Sequence, residues 1–196
     1  MGRNRLEAFS DGVFAVAITL LALNLAVPGP DHGALLTQLL DHWPSLLAYL
    51  ISFFTIGVIW VNHHALIANV KAVDRTLLFI NLVLLLFIVV IPIATDTMAE
   101  YLTSGGQDSH IAMALYAAVF EGMGASFAVM FAWTQGEGRT VRPVPREAQR
   151  RAWLRFSPGL AAYLVAIAVA FVSAPAALAI VGLAAVYYIF ERTPRS

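Results

Sequence analysis

The chain has 196 residues, 60% of them hydrophobic and only 12% charged, where a soluble domain carries about 25% charged residues. That composition excludes an ordinary soluble domain, and a formal net charge of zero offers no basic face for nucleic acid. With no cysteine, thiolate-ligated metals are excluded and the sequence gives no sign of its redox compartment.

A bilayer core about 30 Å thick calls for about 20 apolar residues in a helix. Six stretches meet or approach that length: 6–27, 44–62, 76–95, 111–133, 156–173 and 175–190. The expectation is one all-α, six-span transmembrane domain covering 1–196. The first stretch follows a charged segment and has no small-residue cleavage pattern, so it is expected to be a retained span. After it, Leu35, Leu36, Leu39 and Leu40 fall at helical spacing and predict a short helix lying at the surface. "TSGGQDSH" predicts a flexible turn between the third and fourth spans. "QGEGRTVRPVPREAQRRAWLR" is a basic linker between the fourth and fifth; it lies on anionic headgroups, caps the fifth helix, or serves only as an orientation signal. "SAP" at 173–175 splits the last apolar block into a helical hairpin, because proline disfavours helix at the residue before it.

All twelve basic residues fall at the N-terminus, in the second or fourth connection, or at the C-terminus. Basic residues mark cytoplasmic loops, so both termini are expected inside, which requires an even number of spans.

Ionisable groups inside a membrane cost about 2.5–3.5 kcal/mol each on insertion scales and so require a partner or a function. Arg5, Ser10 and Asp11 open the first span, His63 and His64 close the second, and Asn81 lies early in the third. The topology puts all of them in the cytoplasmic third of the bilayer. A hydrogen-bonded network of Arg5, Ser10, Asp11, Asn81 and one of the two histidines is expected, with Asp11 held ionised by Arg5 or a protonated histidine. Adjacent histidines point about 100° apart on a helix, so only one can join. Such a cluster reads first as a structural clamp. GxSxG and HExxH are both absent, so enzymatic chemistry has no foothold.

In the middle of the first span, Val16, Leu20 and Leu23 form one stripe about 10 Å long. Thr19 borders it. The stripe is either an ordinary helix contact, with Thr19 bonding back to the carbonyl of Ala15, or the wall of an axis around which several copies assemble. In the second case Val16, Leu20 and Leu23 make apolar rings and Thr19 a ring of hydroxyls.

The residues "RLEAFSD" match the R-x-x-x-F-S-D signature of the lysosomal potassium channel family, the transmembrane protein 175 family, in its prokaryotic branch. Trp60, Asn62, His63 and His64 of the second span, and Asn81 through Pro92 of the third, also resemble that family. The resemblance covers essentially the whole chain. It implies a potassium-selective cation channel of the bacterial plasma or inner membrane, assembled as a homotetramer, with no P-loop filter and no resident cofactor. The implied pore is lined by the first helices: Val16, Leu20 and Leu23 as constriction rings, and Thr19 as the hydroxyl ring near which K+ is expected. Phe9, Ser10 and Asp11 then organise a network with the second-span histidine and Asn81. The family's first ring position is often Ile or Leu; Val16 is smaller, which shifts the tighter constriction toward Leu20 or Leu23.

Asp96 and Glu100, near the outer end of the third span, either concentrate cations at the mouth or form a solvated helix end. Glu121, in "FEGMGAS", is expected to face a tyrosine such as Tyr163 or Tyr187, with Gly122 and Gly124 admitting a close helix neighbour. The alternative function is a proton-coupled transporter relaying protons through Asp11, a histidine and Glu121.

Overall fold

The computed structural model describes residues 2–25 and 29–190. They form helices α1 (Arg3–Leu21), α2 (Leu35–Asp41), α3 (Trp43–Ala68), α4 (Arg75–Tyr101), α5 (Gly106–Thr134), α6 (Arg146–Ala170) and α7 (Ala174–Phe190). Among the described residues the regular structure is helical apart from one isolated bridge between Val70 and Thr140. Among the described residues four helices, α3 to α6, are long and apolar enough to cross a membrane; α7 is apolar but shorter, at 17 residues. α1 carries Arg3, Arg5, Glu7 and Asp11 within its 19 residues. The protein is therefore a multi-pass membrane protein of helical type.

Several boundaries differ from the sequence expectation. α1 ends at Leu21 and tightens into a 3₁₀ turn over Ala22–Leu25; the rest of the expected first span, 26–27, lies outside the described residues. α6 starts at Arg146, ten residues before the expected span. Hydropathy misses this start because the first turns are polar, yet Arg, Glu, Ala and Gln are strong helix formers. Glu147 sits in the first turn, where the helix dipole favours it, and pairs with Arg151 one turn on. "QDSH" belongs to α5, since the turn is confined to residues before Gly106. The α6–α7 break falls where expected: Ser173 accepts from the backbone of Ala176, and Pro175 occupies the first turn of α7, where its missing N–H costs nothing.

α4 packs along α5, α5 on α6 and α6 on α7, while α3 touches both α4 and α7. α1 lies in the groove between α3 and α4. The core runs through the facing sides of α4 and α5, where Leu84, Ile88, Ile91, Met113, Tyr116 and Phe120 are fully buried. Two glycines allow close approach: Gly122 receives the Phe87 ring, and Gly124 lies against Leu160. α2 is held by Gln38, whose amide donates to the carbonyls of Gly29 and Gly33 and whose oxygen accepts from Gly29 N. Leu35, Leu36, Leu39 and Leu40 remain exposed on it.

One end of the bundle gathers three of the four basic segments; the fourth, with Arg192 and Arg195, lies outside the described residues. Lys71 N donates to Arg139 O, Val141 N donates to Asn69 O, and Arg3 reaches the carbonyl of Ala68. The start of α1, the α3–α4 turn and the α5–α6 connection therefore share that end.

Candidate functional site

α1 has two faces. Leu6, Ser10, Phe14, Ala17 and Leu21 are buried against α3 and α4. The other face carries Phe9, Gly12, Val16, Thr19 and Leu20, and Leu23 follows in the 3₁₀ turn; all are exposed. Val16 is 54% exposed, Leu20 39% and Leu23 68%. Thr19 Oγ1 donates to the carbonyl of Val16 at 2.8 Å, three residues back, and not to Ala15, the partner expected if the stripe is an ordinary helix contact. With its proton committed to the backbone, the hydroxyl turns its remaining acceptor capacity away from the helix.

The buried face is bolted down by an antiparallel polar ladder. Arg3 donates to Ala68 O at 2.9 Å; Glu7 Oε1 lies 2.9 Å from His64 Nδ1; Asp11 Oδ1 accepts from Trp60 Nε1 at 2.9 Å. Each rung is four residues on in α1 and four residues back in α3. Four residues is close to one turn, so all three rungs stack on one side of each helix.

Beneath the ladder lies a buried triad. Asn81 Nδ2 donates to Ser10 Oγ at 3.1 Å, Ser10 Oγ donates to Leu6 O at 2.9 Å, and Asn81 Oδ1 lies 2.7 Å from His63 Nε2. A carbonyl oxygen can only accept, so the His63 proton sits on Nε2. Nδ1, buried with no partner, then presents a lone pair and leaves no orphaned N–H. The Phe14 ring packs on His63 at 5.5 Å between centroids. Asn81 thus joins α1 to α3 through α4.

Among the expected network residues, the structure connects Ser10, His63 and Asn81. It does not connect Arg5, which is exposed and makes no side-chain hydrogen bond or ion pair among the described residues. Asp11 pairs with an indole, not with Arg5 or a histidine, because the ladder register puts Trp60 opposite it. His64 faces out to Glu7, and Phe9 is on the exposed face. Asp96 is half-buried by a small hollow it shares with Leu21 and Leu25 near the end of α1; Glu100 is exposed one turn on. Glu121 Oε2 is buried without a hydrogen-bond partner, and neither Tyr163 nor Tyr187 bonds it. No hydrogen bond links Glu121 to the ladder among the described residues, and no group of three His, Asp or Glu there could hold a metal.

Sequence reasoning missed a second polar layer. Tyr116 and Thr95 hydroxyls flank Ser52 Oγ at 2.9 and 2.8 Å, and Thr95 donates on to Ile91 O at 2.7 Å. All three side chains are buried, tying α3, α4 and α5 together. Their signal was present as hydroxyls inside apolar runs, but hydroxyls satisfy themselves locally so often that they do not stand out.

An all-helical fold with several membrane-length apolar helices, in which α1 is pinned on one face and bare on the other, defines the class as a multi-pass helical membrane protein. The family described as "Endosomal/lysosomal potassium channel TMEM175" matches residues 5–92, the segment that holds most of α1, two of the three rungs and the triad. A potassium channel of Streptomyces collinus is 43% identical over 97% of this chain and 93% of its own length. A potassium channel of Chamaesiphon minutus is 37% identical over 94% and 92%. The crystal structure of a lysosomal potassium-selective channel TMEM175 homolog from Chamaesiphon minutus superposes with a TM-score of 0.83 at 33% identity, covering 95% of this chain and 96% of that one. The chain belongs to the TMEM175 family.

Proposed function

We propose that this protein is a potassium-selective cation channel whose pore is the assembled α1 helices of a homotetramer. The observation that carries the reading is the bare stripe of Val16, Thr19, Leu20 and Leu23, opposite a face fixed by three rungs and a buried triad. A soluble oligomer seam needs apolar cover; a pore wall needs apolar rings that exclude water when narrow and a polar ring that replaces part of an ion's hydration shell when wide. Leu20 or Leu23, larger than Val16, forms the tightest ring. Thr19, its proton held by Val16 O, offers oxygen to K+. A single hydroxyl ring is a weaker ligand set than stacked carbonyls, so selectivity over sodium is modest. An apolar groove between α1 and α4, lined by Ala8, Phe9, Gly12, Val13, Val16 and Val89, accepts the neighbouring α1. The chain has no P-loop filter in this reading.

The proposed topology has six spans, α1 and α3 to α7, with both termini cytoplasmic in the bacterial plasma or inner membrane. Its support is the gathering of the N-terminal, α3–α4 and α5–α6 basic segments at one end of the bundle. Asp96 and Glu100 then stand near the outer mouth and attract cations. Recording from purified protein in planar bilayers, with K+ on one side and Na+ on the other, tests the reading: discrete openings reverse toward the potassium equilibrium potential.

A chicken relative, 39% identical over 52% of this chain but only 22% of its own length, is described as an endosomal/lysosomal proton channel. Proton permeation through the same α1 pore is the second reading. The buried, unpartnered Glu121 Oε2 offers a protonatable group for the transporter alternative. Either would make flux follow pH.

A further inference from the structure

We infer that the outer face of α6 is a binding site for anionic phospholipid. Arg146 and Arg150 lie one turn apart on one side of α6, both exposed and without side-chain partners among the described residues. Arg151 differs, since Glu147 already neutralises it. Trp153 and Leu154 continue the same stripe and are exposed, as are Leu164 and Val165 further along. From Arg150 to Leu164 the helix rises about 21 Å. One face therefore presents cations at one end, an aromatic below them and hydrocarbon beyond, which is the order of headgroup, interface and acyl chain in a leaflet.

The connection that leads into the cationic end is held in place at residues 139–142. Asn69 accepts from Arg142 N at its side chain and from Val141 N at its carbonyl, and Lys71 N holds Arg139 O. Arg139 stacks on Trp133 at 4.0 Å and donates to its carbonyl. Trp153 is propped edge-on against Phe131. α6 packs on α5 and α7, while α1 packs on α3 and α4, so a central axis of α1 helices leaves this face to the surrounding lipid. A soluble phosphate would engage the arginines but leave Trp153, Leu154 and Leu164 uncovered; a phospholipid covers both.

The site rests on the membrane-spanning part of the proposed function and not on potassium conduction. Full-length protein in phosphatidylcholine vesicles, titrated with dibrominated phosphatidylglycerol or dibrominated phosphatidylcholine, reads it through tryptophan quenching. The share of quenching lost in Trp153→Phe reports this face. Phosphatidylglycerol is expected to bind roughly fivefold more tightly than phosphatidylcholine, the scale of one basic residue at a charged surface. R146Q/R150Q should bring that preference close to unity while R151Q keeps most of it. Where the double variant fails to assemble, R150Q alone should at least halve the preference. Equal binding of the two lipids to the wild type, or a preference that survives in R146Q/R150Q, overturns the site. Displacement of the preference by inorganic phosphate assigns the arginines to a soluble anion and overturns it too. No quenching through Trp153 by either lipid means that α6 does not face the bilayer at all.

Discussion

Trp60 donates its indole N–H to Asp11 at 2.9 Å, across the interface of α1 and α3. The carboxylate is satisfied by a neutral donor, and an amide oxygen serves that donor as well. Asp11→Asn should therefore cost less than about 1 kcal/mol, while Asp11→Leu, which removes the acceptor, should cost about 1–3 kcal/mol. Thermal unfolding of the detergent-purified protein separates the two.

Asn81→Ala should be far more damaging. It strips the acceptor from His63 Nε2 and the donor from Ser10 in a fully buried setting. The expected loss is about 2–4 kcal/mol, from two broken hydrogen bonds and an unpaired N–H. Asn81→Asp, which keeps the acceptor toward His63, should recover part of it.

The close helix contacts make a third prediction. An added methyl at Gly122 runs into the Phe87 ring, and one at Gly159 runs into the Tyr188 hydroxyl. Gly159→Ala also disturbs the hydrogen bond from Gly159 N to that hydroxyl. Each should lower stability by about 1–3 kcal/mol through overpacking. Gly57→Ala, with open space around it, should be neutral or slightly stabilising.

The sequence made parts of this site legible because its polar residues interrupt apolar runs. Ser10, His63 and Asn81 are conspicuous there, and the topology alone assigns them a shared depth. Depth does not fix which helical face meets which. That is why Arg5 reads as the partner of Asp11 although the register presents Trp60 there, and why the Glu7–His64 rung goes unseen. An indole at a span end passes as an interfacial anchor, so its N–H gives no warning of a partner. The start of α6 is hidden for a different reason: hydropathy marks where a helix enters hydrocarbon, not where it begins. The α1 stripe is visible by spacing in the sequence, but only the fold shows that none of the described residues covers it.

The stripe predicts conduction phenotypes with little effect on folding. Leu20 and Leu23 are exposed in the single chain, so truncating them should change monomer stability by no more than about 0.5 kcal/mol. Leu20→Ala and Leu23→Ala should raise single-channel conductance by widening an apolar ring. Thr19→Val, close in shape but lacking the hydroxyl, should lower the potassium preference and leave assembly intact, read by reversal potential and by size-exclusion chromatography.

The most direct test of α1 as the pore wall uses the absence of cysteine from the chain. Leu23→Cys introduces one thiol at the most exposed position of the stripe, and Leu164→Cys places a control on α6. Currents are recorded while a bulky cationic thiosulfonate reagent is applied. The account predicts that modification blocks current through Leu23→Cys, that K+ in the pore slows the block, and that Leu164→Cys is unaffected. Labelling of Leu23→Cys to completion with potassium current undiminished would contradict it.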